Sequence, residues 1–284
     1  MFERLANSWE LVKASAAVLR ADKELVLFPV VSAVASILVA ITFVVPLVLS
    51  GNVDLARADS QGLPVAGYAV AFLFYLVQYF VIFFCNAALV GAALIRLRGG
   101  NPTVGDGFRV AFGRADAILS YALVAATVGL VLRSISERGG AISRLVASVF
   151  GLAWSLATYL VVPVLVVEGV GPIDAVKRSA GYLRKTWGEQ IAGNLGMGLV
   201  FTLLALATLM VGVVGIVAVS ATESATLMII MAGLLVLALA AIGLVASALS
   251  GIYAAAVYRY AAEGHTGSFF PAELVRNAFR PRTA

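Results

Sequence analysis

Long apolar runs alternate with short polar segments along the chain, and six runs read as membrane spans: Leu25–Ser50, Val65–Ile95, Ala117–Leu132, Leu145–Val167, Ile191–Val219 and Leu227–Tyr258. A span needs about 20 mostly apolar residues, because about 1.5 Å of rise per residue must cover a hydrocarbon core about 30 Å thick. The second and last runs exceed that length, so they are expected to tilt or to project beyond the bilayer. The third lies near the lower limit. The pattern predicts an all-α polytopic membrane protein with six transmembrane helices and amphipathic helices at its cytoplasmic face. It reads as one membrane domain over residues 1–284, with an interfacial helix over 1–24, the spans over 25–258, and a cytoplasmic tail with a short helix over 259–284.

The polar segments have a period of their own. Phe2, Leu5, Trp9, Val12, Ala16 and Leu19 recur at alternating spacings of three and four, which places them on one stripe of a helix. Such a helix just before a span is expected to lie in the membrane interface. Ile173, Val176, Ala180, Leu183 and Trp187 repeat the design after Pro172, a residue suited to the first helical position.

These segments share a short pattern: an acid, any residue, Val or Phe, a base, any residue, then Ser or Ala. Its copies are Glu10–Ser15, Asp106–Ala111, Asp174–Ser179 and Glu273–Ala278, each separated from the next by two spans. The physical reading is an acid in the first turn facing the helix dipole, an apolar anchor, and a base near lipid headgroups. The bland alternative is that short amphipathic helices drawn from a restricted alphabet match so loose a pattern. All copies lie on one side and imply parallel repeats, unlike the inverted repeats of many transporters.

Charge sets the orientation. Sixteen of the 20 Lys and Arg fall in the N-terminal segment, the second and fourth loops and the C-terminal tail. Short basic segments stay in the cytoplasm, so both termini are expected there, in a multi-pass protein of the cell membrane. Without the third span the division would be eleven against nine, so six spans account for the charges better than five. Composition agrees: 62% of residues are hydrophobic and 12% charged, against about 45–50% and 25% in soluble domains. Charged residues run through Met1–Glu24, so no cleavable signal is expected and this segment should remain. The net charge of +5 sits beside spans, which makes the bilayer, and anionic lipid of the inner leaflet, the expected partner in place of nucleic acid. A protein partner or a homo-oligomer is compatible with the same face.

Reactive chemistry is sparse. Cys85 and His265 are the only residues of their types, which disfavours the usual zinc ligand sets, and no Gly-x-Ser-x-Gly elbow accompanies the histidine. Gly264–Gly267 reads as a turn. Gly99-Gly100-Asn101-Pro102 lacks the Walker pattern and its lysine. No cofactor is implied, and no enzyme is expected. Ionisable groups deep in a span are the usual functional signal, because burying them is costly. Glu168, at the end of the fourth span, comes nearest, and it could pair with a base such as Lys177. Gln78, Asn86 and Asn194 are the candidate polar groups within spans, each able to hydrogen-bond across helices. Trp9, Lys13, Arg109, Lys177, Arg178, Trp187 and Arg276 are the candidate lipid-interface residues. Small residues at Ala147, Gly151 and Ser155, and at Gly243, Ser247, Gly251 and Ala255, would permit close helix contact, and Pro29, Pro46 and Pro163 could kink their spans.

Phe28-Pro29 at the first span, Gly100–Thr103 after the second, and Glu168–Pro172 leading into Lys177-Arg178-Ser179 together resemble a prokaryotic family of multi-pass membrane proteins classified as a domain of unknown function. More loosely, the Pro172 helix is similar to membrane domains attached to some bacterial glycerophosphodiester phosphodiesterases, whose catalytic domain has no counterpart here. That likeness implies a membrane module without the enzyme. The expected function is a non-catalytic module organising lipids or a partner protein at the cytoplasmic face. The alternative is a transporter or exporter of an apolar or amphiphilic solute, lined by Gln78, Asn86, Asn194 and tyrosines.

Overall fold

The computed structural model describes residues 2–49, 65–138, 140–187, 196–220, 224–265, 269–271 and 275, and among these the regular structure is entirely helical. Helix α1 (Phe2–Ala21) leads through a 3-10 turn (Lys23–Val26) into α2 (Leu27–Leu49), followed by α3 (Val65–Leu97) and the short α4 (Val104–Phe112). Then come α5 (Ala115–Arg138), α6 (Ala141–Ala157), α7 (Val161–Glu168), α8 (Pro172–Trp187), α9 (Gly196–Ser220) and α10 (Ala225–Glu263). Six segments are long and apolar enough to cross a membrane: Lys23–Leu49, Ala69–Leu97, Ala115–Ser136, Ser143–Glu168, Val200–Ser220 and Ala225–Glu263. The chain is an all-α polytopic membrane protein.

Three spans differ from their expected form. The third is a full-length helix, because the ladder continues past Leu132 through Arg133, whose Nη1 donates to Tyr75 Oη at 2.7 Å. The fourth is broken into α6 and α7. Pro163 has no N–H and its ring crowds the carbonyl four residues back, and just ahead of it the chain tightens to three-residue bonds, Tyr159 N–H to Leu156 O at 3.2 Å and Val161 N–H to Thr158 O at 3.1 Å. The sixth runs on to Glu263 and stops at Gly264, whose φ of 74° is the left-handed conformation that favours glycine. Pro46 lies inside α2 without ending it, and Pro29 sits in the first turn, where the missing donor costs nothing. Ile191–Leu195, Asn194 among them, lie outside the described residues.

The helices gather into two compact units. One comprises residues 1–26, 93–101 and 184–284. In it α1 packs against α9 and α10, and α9 packs along α10, with Gly215 giving room to Met231: a Cβ there would come within 2.7 Å of its Cε. The second unit comprises residues 27–92 and 102–183. It is rich in aromatic contacts, with Phe28–Phe108 at 5.2 Å and Phe83–Tyr121 at 4.7 Å between ring centres, and Phe84 meeting the exposed Phe112 at 4.8 Å. Gly107 brings α4 against α3 so closely that a Cβ would lie 2.7 Å from the Ala88 carbonyl oxygen.

Candidate functional site

The repeated pattern has a common geometry in its three described copies. Its acid and base pair three residues apart on one exposed side: Glu10 with Lys13 at 2.9 Å, Asp106 with Arg109 at 2.6 Å, and Asp174 with Lys177 at 3.7 Å. The base side chains are 56%, 81% and 73% exposed. Its second and sixth positions, one helical turn apart, are buried in every case: Leu11 and Ser15, Gly107 and Ala111, Ala175 and Ser179. The preference for a small sixth residue is therefore a packing requirement. Asp106 and Asp174 lie in first turns, whereas Glu10 lies in the middle of α1 and has no terminus to face. Of the fourth copy only Val275 is described, and it is buried; Arg276 lies outside the described residues.

The packed faces only partly coincide with the expected apolar stripes: Val12 and Leu183 of those stripes are buried, and the other buried positions lie one residue before them. Helix α1 buries Leu11, Ser15 and Val18 and leaves Trp9 50% exposed. In α8 the buried residues are Ala175, Ser179 and Leu183, with Ile173 exposed. Small residues let helices approach closely, and Ser15, Ala175 and Ser179 share the contact with Leu11, Val18 and Leu183, while Trp9 and Ile173 face outward. Trp187 ends α8.

Glu168 pairs with Arg178 at 2.5 Å and accepts the Tyr182 hydroxyl at 2.9 Å, while Lys177 turns to Asp174. One residue is about 100° of helical turn, so only Arg178 points towards the end of α7. The Glu168 hydrogen bond raises the Arg178 guanidinium, and burial, then the same carboxylate, raises the Tyr182 hydroxyl. Gly169, with φ 61°, lies where the Arg114 guanidinium occupies the space a Cβ would need, and Arg114 Nε donates to Val166 O at 3.4 Å.

Two arrangements went unread in the sequence. Thr103 caps α4 by accepting the Asp106 N–H at 3.1 Å, and Asp106 accepts the Thr103 N–H at 3.0 Å. The spacing of Thr and acid three residues apart is a capping-box signal. Hydrogen bonds from the Thr103 side chain and backbone hold the Asp106 carboxyl below its ordinary value. In the first unit, Asp22 pairs with Arg96, which also donates to Asn101 Oδ1 at 2.6 Å. Glu263 joins Arg98 at 2.6 Å to Arg259 at 3.1 Å, and the buried Arg259 donates to the Leu97 carbonyl. Several of the bases that signal orientation thus hold helix ends together.

Within the second unit a cavity of about 370 Å³ lies among α3, α5, α6 and the break before α7. Asn86, Tyr79 and Tyr121 reach it, with Trp154 and Thr158 from the broken span. Gln78, one residue round α3, does not; its Oε1 is buried without a hydrogen-bond partner among the described residues. Gly151 and Ser155 face this space in place of a neighbouring helix. In the last span Gly251 and Ala255 are buried, whereas Gly243 and Ser247 are exposed. Among the described residues no group of His, Cys, Asp and Glu is placed to hold a metal ion, and His265 is exposed with Nδ1 2.8 Å from the Glu263 carbonyl.

An all-helical, multi-pass membrane protein with a basic, ion-paired set of helix ends is the class these features define. Residues 65–269 match the family of unknown function DUF6159, and the chain belongs to that family. No curated protein and no solved structure matches it.

Proposed function

We propose that this protein is a non-catalytic module of the cell membrane, with both termini in the cytoplasm, that gathers anionic lipid against its inner-face helices and so presents a defined surface to lipids or a partner protein. The observation that carries this reading is the charge on α8. Lys177, Arg178, Arg184 and Lys185 stand against the single acid Asp174 on that helix, and Arg184 and Lys185 are exposed with no acidic partner among the described residues. Each base near an anionic surface contributes about 1 kcal/mol of attraction. Lys13, Arg109 and Lys177 add less, because the acid beside each on its own helix lowers the local net positive charge. Trp9, half exposed beside the packed face of α1, supplies an aromatic anchor of the kind found at membrane interfaces.

The test is to replace Trp9 and Trp187 by Ser and to measure phosphatidylglycerol retained after mild extraction. The expected result is reduced retention with unchanged folding. Unchanged lipid retention and unchanged recovery of copurifying proteins would count against the reading.

A further inference from the structure

The cavity in the second unit lies within three spans: Asn86 is on the segment Ala69–Leu97, Tyr121 on Ala115–Ser136, and Trp154 on Ser143–Glu168. Its volume of about 370 Å³ falls in the range of small-molecule sites, roughly 300–1,000 Å³. Among the described residues no Asp, Glu, Lys or Arg lines it. A charged guest would therefore lose its hydration without gaining a counter-ion.

The wall is not simply apolar. Tyr79 stacks on Phe83 at 5.6 Å and Phe83 meets Tyr121 at 4.7 Å, forming one aromatic side. Thr158 is committed, its Oγ1 donating to Trp154 O at 2.8 Å. Asn86 differs: its carboxamide, both donor and acceptor, has no hydrogen-bond partner among the described residues. A guest that bonds to it would supply this carboxamide with a partner inside the span. At Gly151 a Cβ would meet nothing within 4 Å, so this glycine leaves the space open.

We infer that this cavity is a binding site for an uncharged amphiphile: a compact apolar molecule that lies against the aromatic wall and carries a hydroxyl or carbonyl group for Asn86. Binding does not require carriage across the membrane, and it is independent of anionic lipid at the helix ends.

The full chain in lipid nanodiscs is photolabelled with a diazirine-bearing octanol, alongside the matching alkane and the matching quaternary ammonium compound, and adducts are mapped by mass spectrometry. The alcohol is expected to concentrate on peptides containing Asn86, Tyr121 and Trp154, to be displaced by unlabelled octanol, and to fall about tenfold in Gly151→Leu, whose side chain fills the cavity. Asn86→Leu, which keeps the volume and removes the amide, lowers alcohol labelling while alkane labelling stays constant, and this variant decides the matter if Gly151→Leu fails to fold. Alcohol adducts spread evenly over lipid-facing residues, alcohol labelling indifferent to Asn86→Leu, or equal labelling of these peptides by the ammonium compound would each overturn the inference.

Discussion

The Leu160 amide donates to the Ser179 hydroxyl at 3.0 Å, and both groups are buried. The break before Pro163 frees that N–H from the helix ladder, and the sixth residue of a repeated pattern on α8 accepts it. Ser179→Ala leaves the donor unpaired in a buried site and is expected to cost about 1–3 kcal/mol, read as a lowered melting temperature in detergent. Ser15 occupies the same place on α1, but its Oγ has no partner among the described residues. Ser15→Ala is therefore expected to be neutral or slightly stabilising. Equal losses in the two variants would contradict this account.

Gly107 packs against the backbone of α3, where a Cβ would meet the Ala88 carbonyl at 2.7 Å and the Phe28 ring. Backbone cannot swing aside as a flexible side chain can. Gly107→Ala should destabilise by about 1–3 kcal/mol, although alanine favours helices by about 1 kcal/mol over glycine. A melting temperature at or above wild type would contradict the close approach.

Arg259 is buried, donates to the Leu97 carbonyl and pairs with Glu263 at 3.1 Å. Arg259→Met removes the donor and leaves the carbonyl without that bond, with an expected loss of about 1–3 kcal/mol. Arg259→Lys should recover only part of it, because an ammonium lacks the fork that serves both acceptors at once. Chemical denaturation of the three proteins checks the order wild type, Lys, Met.

Asp106 supplies a pH dependence. Its carboxyl is held below its ordinary value of 3.8, first by the Thr103 side chain, then by the Thr103 backbone. A depressed folded value means that the carboxylate contributes stability fully above the ordinary value and loses it as pH falls through the depressed one. The melting difference between wild type and Asp106→Asn should be constant from neutrality to about pH 5 and shrink below about pH 4. A difference that grows on acidification would have the wrong sign.

The spans were legible because an apolar run of about 20 residues matches the thickness of a bilayer and little else, and the break in the fourth was signalled by Pro163. The packed faces were legible only in part, through Val12 and Leu183 of the apolar stripes. Apolar pattern marks residues kept from water, and lipid satisfies that as well as protein does, so Trp9 and Ile173 drew the stripe towards the exposed side. Ser15, Gly107 and Ser179, small or polar and off the apolar stripes, share the contacts with Leu11, Val18 and Leu183. Asn86 was legible as a polar residue in a span, but the cavity draws on three spans far apart in the chain. Arg259 read as a topological charge and became a buried tie, because a Lys or Arg count weighs every base alike.

The most direct measurement of the central claim is native mass spectrometry of the protein released from nanodiscs of equal phosphatidylglycerol and phosphatidylcholine, for wild type and for Lys177→Gln/Arg184→Gln/Lys185→Gln. The account predicts retained lipid enriched in phosphatidylglycerol on wild type and an equal mixture on the variant. Equal retention of both lipids by wild type, or the same enrichment on the variant, would contradict it.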